Sequence, residues 1–266
     1  EWYKKYHKKE NLINFELGFH AEYTTKKEIL EGIADLAEKY KAPVYTHNSE
    51  SESEVAQCIE RTKVTPTVYM DRLGIFNYGG GFYHCVHMTQ NDLDIVKEHN
   101  ISVITNPASN LKLASGIAPI DHMLKEGINL AIGTDGPASN NCLDMFREMF
   151  LVTALAKYRE NDASAVDALE VLKMATIGGA KAMNLTDCDV LAEGKEADII
   201  MIDLNQPNMQ PIHNIQKNLV YSGSKQNVKL TMVAGKILYE NGEFFIGTDA
   251  YKIYEKANDI AERIVK

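Results

Sequence analysis

Hydrophobic and polar positions alternate in two rhythms along the first 150 residues. Short β-prone runs appear at LINFELGFH (12–20), PVYTH (43–47), FYHCVH (82–87), ISVITN (101–106) and LAIGTD (130–135). Between them lie stretches of helical period. In 25–41, Ile29, Ile33, Leu36, Ala37 and Tyr40 fall on one helical face, and Thr25 with Glu28 reads as a capping box. A second helix is expected after Thr89 (89–100), and a third over 116–127, ended by Gly127.

The strand-end residues are His20, His47, His84, Asn106 and Asp135, separated by 27, 37, 22 and 29 residues. A (β/α)8 barrel averages roughly 31 residues per unit. Strands alternating with helices predict a parallel sheet, and strand ends bearing reactive side chains are the active face of such a barrel. The fold class is therefore α/β, a partial (β/α)8 TIM-type barrel with five βα units visible. An open doubly wound sheet is the alternative, but no G-x-G-x-x-G follows a strand. Eight units close a barrel, so about 90 further residues are expected ahead of Glu1.

Beyond Asp135 the rhythm changes. A long helix is expected over 143–161 and one or two more over 164–184. A buried strand follows at 197–205, and 227–245 carries Ala234–Gly235 and Asn241–Gly242 as turns between strands. The expected organisation is a barrel part over 1–184, a small β-sandwich appendage over 185–248 and a closing helix over 249–266.

Composition sets outer limits. With 45% hydrophobic and 24% charged residues, the 266-residue chain can bury a core. The net charge of −9 argues against nucleic acid, and no apolar run reaches a membrane span. Four cysteines without a C-x-x-C spacing read as free thiols of a reducing, cytoplasmic setting. An incomplete barrel exposes strand edges, which predicts association with the missing part or as a homo-oligomer.

Asp135 is the sharpest chemical signal. A carboxylate ending an apolar strand is costly unless it is hydrogen-bonded, paired or metal-bound, although Asp-Gly is also a common turn pair. Glu50 follows His47 by three residues and could move protons, but Glu52 and Glu54 make a solvated run equally natural. His84 and His87 cannot both face the mouth from one strand, and His84 fits the other strand ends better. His20 could orient a substrate or bond its loop. Asn106, Ser109 and Asn110 read as turn formers that could also hold the next loop. His7, His99, His122 and His213 look peripheral. Together, histidines and carboxylates at barrel strand ends suit a divalent metal with acid–base partners.

The ordered motifs HAEYT (20–24), HNSE (47–50), His84, SNLKLASGIAP (109–119), GTDGPASNN (133–141) and the tail segments 174–185 and 193–211 resemble the metal-dependent amidohydrolase superfamily. Within it, the methylthioadenosine/S-adenosylhomocysteine deaminase group is the most similar. The resemblance implies His47 and Asp135 as ligands of zinc, with iron as the alternative. It implies that Asp135 also accepts a proton from the attacking water, that Glu50 carries a proton to the substrate ring, and that His84 acts on the attacking oxygen or touches substrate. His20 would contact the sugar. The implied reaction is hydrolytic deamination of an adenine-type nucleoside with release of ammonia. Guanine or a triazine is the alternative substrate. A catalytically silent fragment is the third reading, because the family's H-x-H ligand pair occurs nowhere in the chain. HAEYT also replaces the group's usual HAPYT, and NSES follows the ligand histidine where an apolar residue and E-T are common.

Overall fold

The β-prone runs form five parallel strands, and the last two, Ile101–Thr105 and Leu130–Ile132, are buried at every position, as strands covered on both faces are. A computed structural model describes residues 1–9 and 12–265. A short helix α1 (Trp2–Tyr6) precedes β1 (Leu17–Gly18), α2 (Lys27–Tyr40) and β2 (Val44–Asn48). Helices α3 (Glu52–Thr62) and α4 (Pro66–Arg72) lead to β3 (Gly80–His84), then α5 (Gln90–Glu98) and β4 (Ile101–Thr105). Next come α6 (Pro107–Lys112), α7 (Ile120–Lys125), β5 (Leu130–Ile132), the single turn α8 (Pro137–Asn140) and α9 (Met145–Glu160). The sheet order is β1-β2-β3-β4-β5, all parallel, as expected of consecutive barrel units.

Register fixes which side chains share a face. Val44, Phe82, Val103, Leu130 and Ile132 join the main core with Leu30, Ala37, Leu93, Val96 and Met123 from the helices. The other face carries Tyr83, Ile104 and Ala131, which pack with Ala182. That residue belongs to α11 (Gly179–Ala182), reached through α10 (Ala168–Lys173) and a π-helical turn over Met174–Gly178. Tyr45 Oη donates to the Ala182 carbonyl at 2.8 Å, locking this helix end to β2. Gly178 permits the packing, since a Cβ there would lie 2.0 Å from the Leu130 carbonyl oxygen. A glycine costs a helix some stability, and Gly178 is what lets this segment lie against β5.

The remaining chain forms an antiparallel sheet of β6 (Ile199–Ile202), β7 (Val228–Val233), β8 (Lys236–Glu240) and β9 (Glu243–Phe244), with α12 (Ile215–Tyr221) between β6 and β7. Ala234–Gly235 and Asn241–Gly242 make the two hairpin turns with positive φ, as the sequence predicts. Helix α13 (Ala250–Val265) follows.

Several expectations need correction. The run 12–20 contributes only Leu17 and Gly18 as strand. Thr25 does not cap α2: a 3-10 turn over Glu22–Thr24 ends at Thr25, and the helix starts one residue later, from Lys26. The run 82–87 stops at His84, because His84 and Cys85 both turn left-handed, with φ of 71° and 50°. The third helix starts at Ile120, after Gly116 (φ 122°) and Pro119 bend the chain. β6 is not buried: Ile200 and Met201 stay more than half exposed. Among the described residues, 185–248 hold a single sheet, not the two layers of a sandwich.

Candidate functional site

The C-terminal ends of β1 to β5 bring the sequence-selected residues to one place. His47 lies on β2, and its backbone N–H donates to the His20 carbonyl at 2.9 Å. Its Nδ1 lies 2.7 Å from the same carbonyl. A carbonyl only accepts, so Nδ1 carries the proton and Nε2 keeps its lone pair for the site. His20 itself is exposed, with its ring 4.7 Å from that of His47. Its best-defined contribution is therefore the backbone carbonyl that orients His47.

His84 ends β3 in a left-handed conformation, which L-residues with large side chains rarely adopt. The twist re-aims the imidazole from the sheet into the mouth. Its Nδ1 stands 2.7 Å from Asn110 Oδ1. With Nδ1 donating to that amide oxygen, Nε2 is left as an acceptor. Nε2 is buried and among the described residues has no hydrogen-bond partner; Glu50 Oε2 lies at 3.7 Å and Asp135 Oδ2 at 4.0 Å. A buried polar atom without a partner carries a desolvation cost, which points to a group that fills the space.

Asp135 lies three residues past β5, also left-handed, with φ of 60°. Ser109 Oγ and Ser139 Oγ donate to its Oδ2 at 2.6 and 2.7 Å, and the Gly136 N–H donates to Oδ1 at 2.7 Å. Burial pushes the carboxyl toward the neutral form, but these three donors and nearby His84 outweigh it, and its pKa falls below the ordinary aspartate value. The carboxylate stays ionised and aimed. Gly133, two residues earlier, is required by close packing, because a Cβ there would meet Asn106 Oδ1 at 2.3 Å.

The acidic run after His47 separates into three roles. Glu52 is exposed on α3. Glu54 is buried and caps the helix start, accepting from the N–H groups of Ser49 and Glu50 at 2.9 and 2.8 Å. Glu50 faces the site, and Ser115 Oγ donates to its Oε1 at 3.1 Å. Ser115 is held in turn by His87, whose Nε2 donates to the Ser115 carbonyl at 2.7 Å. His87 therefore braces the loop, and only His84 enters the mouth.

One nitrogen each from His47 and His84 and one oxygen from Asp135 lie within 4.8 Å of one another. Two imidazoles and a carboxylate are a donor set of the kind that binds zinc and related divalent ions, and each is oriented by a hydrogen bond, to the His20 carbonyl, to Asn110 and from Ser109 and Ser139. The orphan His84 Nε2 adds the observation that the space suits a positive centre. His84 thus joins His47 and Asp135 geometrically, where the sequence placed only the latter two on the metal. The contributions of Ser115 and Ser139 were not predicted from the sequence, since lone serines carry no distinctive pattern. The peripheral histidines stay peripheral: His99 pairs with Asp71 at 2.8 Å, and His122 with Gln90 at 2.9 Å.

The chain is 40% identical to a 5-methylthioadenosine/S-adenosylhomocysteine deaminase of Caldanaerobacter subterraneus subsp. tengcongensis, over 97% of this chain and 60% of the relative. It is 36% identical to a 5'-deoxyadenosine deaminase of Methanopyrus kandleri, over 98% of this chain and 61% of the relative. A crystal structure of an adenosine deaminase from Xanthomonas campestris with bound zinc superposes with a TM-score of 0.91 at 35% identity, covering 97% of this chain and 58% of that one. The chain thus spans about 60% of the length of the curated relatives it matches. The model of the amidohydrolase family matches residues 2–238. With its parallel sheet, strand-end donors and these matches together, the chain belongs to the amidohydrolase family.

Proposed function

We propose that the protein carrying this chain is a zinc-dependent hydrolase that deaminates an adenine nucleoside altered at its 5' position, such as 5'-methylthioadenosine, S-adenosylhomocysteine or 5'-deoxyadenosine. The observation that carries the reading is the buried, unpartnered Nε2 of His84, aimed with His47, Asp135 and Glu50 at one point. The names of the relatives at 36–40% identity supply the substrate class.

His47, Asp135 and, by its position, His84 would hold the ion. Zinc supplies Lewis acidity that makes water nucleophilic near neutral pH. In the reaction, water adds to the amino-bearing ring carbon, the carbon–nitrogen bond breaks, and ammonia leaves, so one water is consumed per ammonia released. Asp135, kept ionised by Ser109, Ser139 and Gly136, accepts a proton from the attacking water. Glu50, steadied by Ser115, carries a proton to the ring nitrogen beside the reacting carbon. His20, exposed at the rim, would contact the sugar. The four cysteines stand as free thiols, which supports a reducing, cytoplasmic setting. Among the described residues no helix is long and apolar enough to cross a membrane.

The test is zinc content of the whole purified protein, followed by ammonia release from the three nucleosides, guanine and an aminated triazine. Stoichiometric zinc with preferred turnover of a 5'-altered adenosine supports the reading. Preferred turnover of guanine or the triazine would overturn the substrate class, and absence of metal would overturn the chemistry. Iron in place of zinc would change the ion and leave the residue roles standing.

A further inference from the structure

One buried acid has no part in the reaction outlined above. Glu148, in the first turn of α9, is fully buried, and among the described residues it has no cationic partner within ion-pair distance. Its pKa is raised, chiefly by burial. A buried charge is costly to a fold, and a neutral or apolar residue would usually serve packing better. The two oxygens have separate duties. Oε2 accepts from the Ala108 N–H at 3.0 Å, and Oε1 accepts from Asn140 Nδ2 at 2.8 Å.

These two partners belong to the loops that build the Asp135 pocket. Ala108 lies in the first turn of α6, where backbone N–H groups have no partner within the helix. The next residue is Ser109, which donates to Asp135 Oδ2. Asn140 ends α8, and its Nδ2 also donates to the carbonyl of Thr134, the residue before Asp135, at 2.6 Å. Asn140 Oδ1 accepts from the Cys142 N–H at 3.2 Å, which fixes the orientation of the amide. Glu148 therefore ties together the backbone on either side of the Ser109–Asp135 hydrogen bond.

We propose that Glu148 is a positioning residue: by bridging Ala108 and Asn140, it sets the spacing at which Ser109 holds Asp135 toward the metal. The inference rests on the metal-dependent reading above. Only a carboxylate accepts on both oxygens. A glutamine would turn an N–H against either the Ala108 N–H or Asn140 Nδ2, and flipping Asn140 to relieve this would break its bond to Thr134. The carboxylate is thus needed for aiming a distant ligand.

The experiment compares wild type, Glu148→Gln, Ser109→Ala and the double variant in the whole protein. Zinc affinity is read by chelator competition, and kcat and KM by ammonia release from 5'-methylthioadenosine. Outer-shell partners of metal ligands typically cost about 10- to 100-fold on removal. Glu148→Gln is expected to lose about that much in zinc affinity and in kcat, with KM within about threefold. The losses in the double variant should fall well short of the product of the single losses, because both act through one contact. If Glu148→Gln fails to fold, Asn140→Ala replaces it, with the same expected non-additivity against Ser109→Ala. Multiplicative losses, or a lower melting temperature with zinc affinity and kcat unchanged, would overturn the inference and leave the deaminase reading intact. Wild-type protein without zinc or turnover would remove the deaminase reading, and this inference with it.

Discussion

The two sheets of the molecule use their strands in opposite ways. In β1–β5 nearly every position beyond the short edge strand is covered, and β4 and β5 are buried throughout. In β6–β9 most positions are partly exposed, and Leu230 is the one buried residue of β7. Both sheets use left-handed residues at strand ends. In the antiparallel sheet, Ala234–Gly235 and Asn241–Gly242 simply reverse the chain. In the parallel sheet, Ser49, His84 and Asp135 take positive φ where the chain leaves the strand, and the latter two aim a reactive side chain. Left-handed backbone in a large residue is strained and persists only where surrounding contacts hold it. The covered sheet provides those contacts, and so the chemistry gathers there.

The strongest way to break this contrast is Asp135→Ala. It removes a proposed ligand and a proton acceptor together, so turnover is expected to fall by more than about 10⁴-fold and zinc to be lost. Wild-type rates in that variant would strip the parallel sheet of its assigned role. Glu50→Gln should separate the two functions. Zinc stays, measured by metal analysis, while kcat falls by roughly 10²- to 10⁴-fold, as expected for loss of a positioned proton carrier. Zinc loss in this variant would move Glu50 from proton transfer to ligation.

The buried side of the contrast is tested by Phe82→Ala. Phe82 is fully buried and packs edge-on against Phe76 at 4.7 Å between ring centres. Its removal should cost about 3–5 kcal/mol of stability in a urea titration. A cost below about 1 kcal/mol would show that the sheet is not the rigid base the site needs. Ser115→Ala sharpens the comparison at a smaller scale. With Glu50 no longer steadied, kcat should drop about tenfold while zinc content and folding are unchanged. An unchanged kcat would leave the Ser115–Glu50 bond without a part in turnover.

These variants also mark where the sequence was readable. β2 to β5 were legible because short β-prone runs recur at barrel spacing between stretches of helical period, and the last two of them, ISVIT and LAI, are buried at every position. Four of the five strand-end residues chosen on that basis, His20, His47, His84 and Asp135, do meet at one mouth, along with Glu50. The fifth strand end, Asn106, packs under Gly133, and its neighbours Ser109 and Asn110 reach Asp135 and His84. The details were illegible for local reasons. That His84 turns inward depends on a φ of 71°, which no pattern of residue types encodes for a histidine. Ser139 and Glu148 matter through partners 4 and 40 residues away, at Asp135 and Ala108. β6 looked buried because IIMI is apolar, yet hydrophobic composition alone does not say whether a second layer covers it.

That last point gives the smallest prediction and the one that bears most on the open sheet. Ile200 on β6 is 57% exposed and pairs with Thr231 on β7. Replacing it with threonine keeps a β-branched side chain suited to a strand and removes only surface that already faces water. Ile200→Thr should therefore change unfolding free energy by no more than about 0.5 kcal/mol. The measurement is a denaturant titration of the whole protein beside Phe82→Ala. A loss above about 1 kcal/mol would mean that Ile200 is covered in the whole protein by something beyond these residues. The antiparallel sheet would then be a packed layer like the parallel one, and what would still separate the two is the reactive strand ends alone.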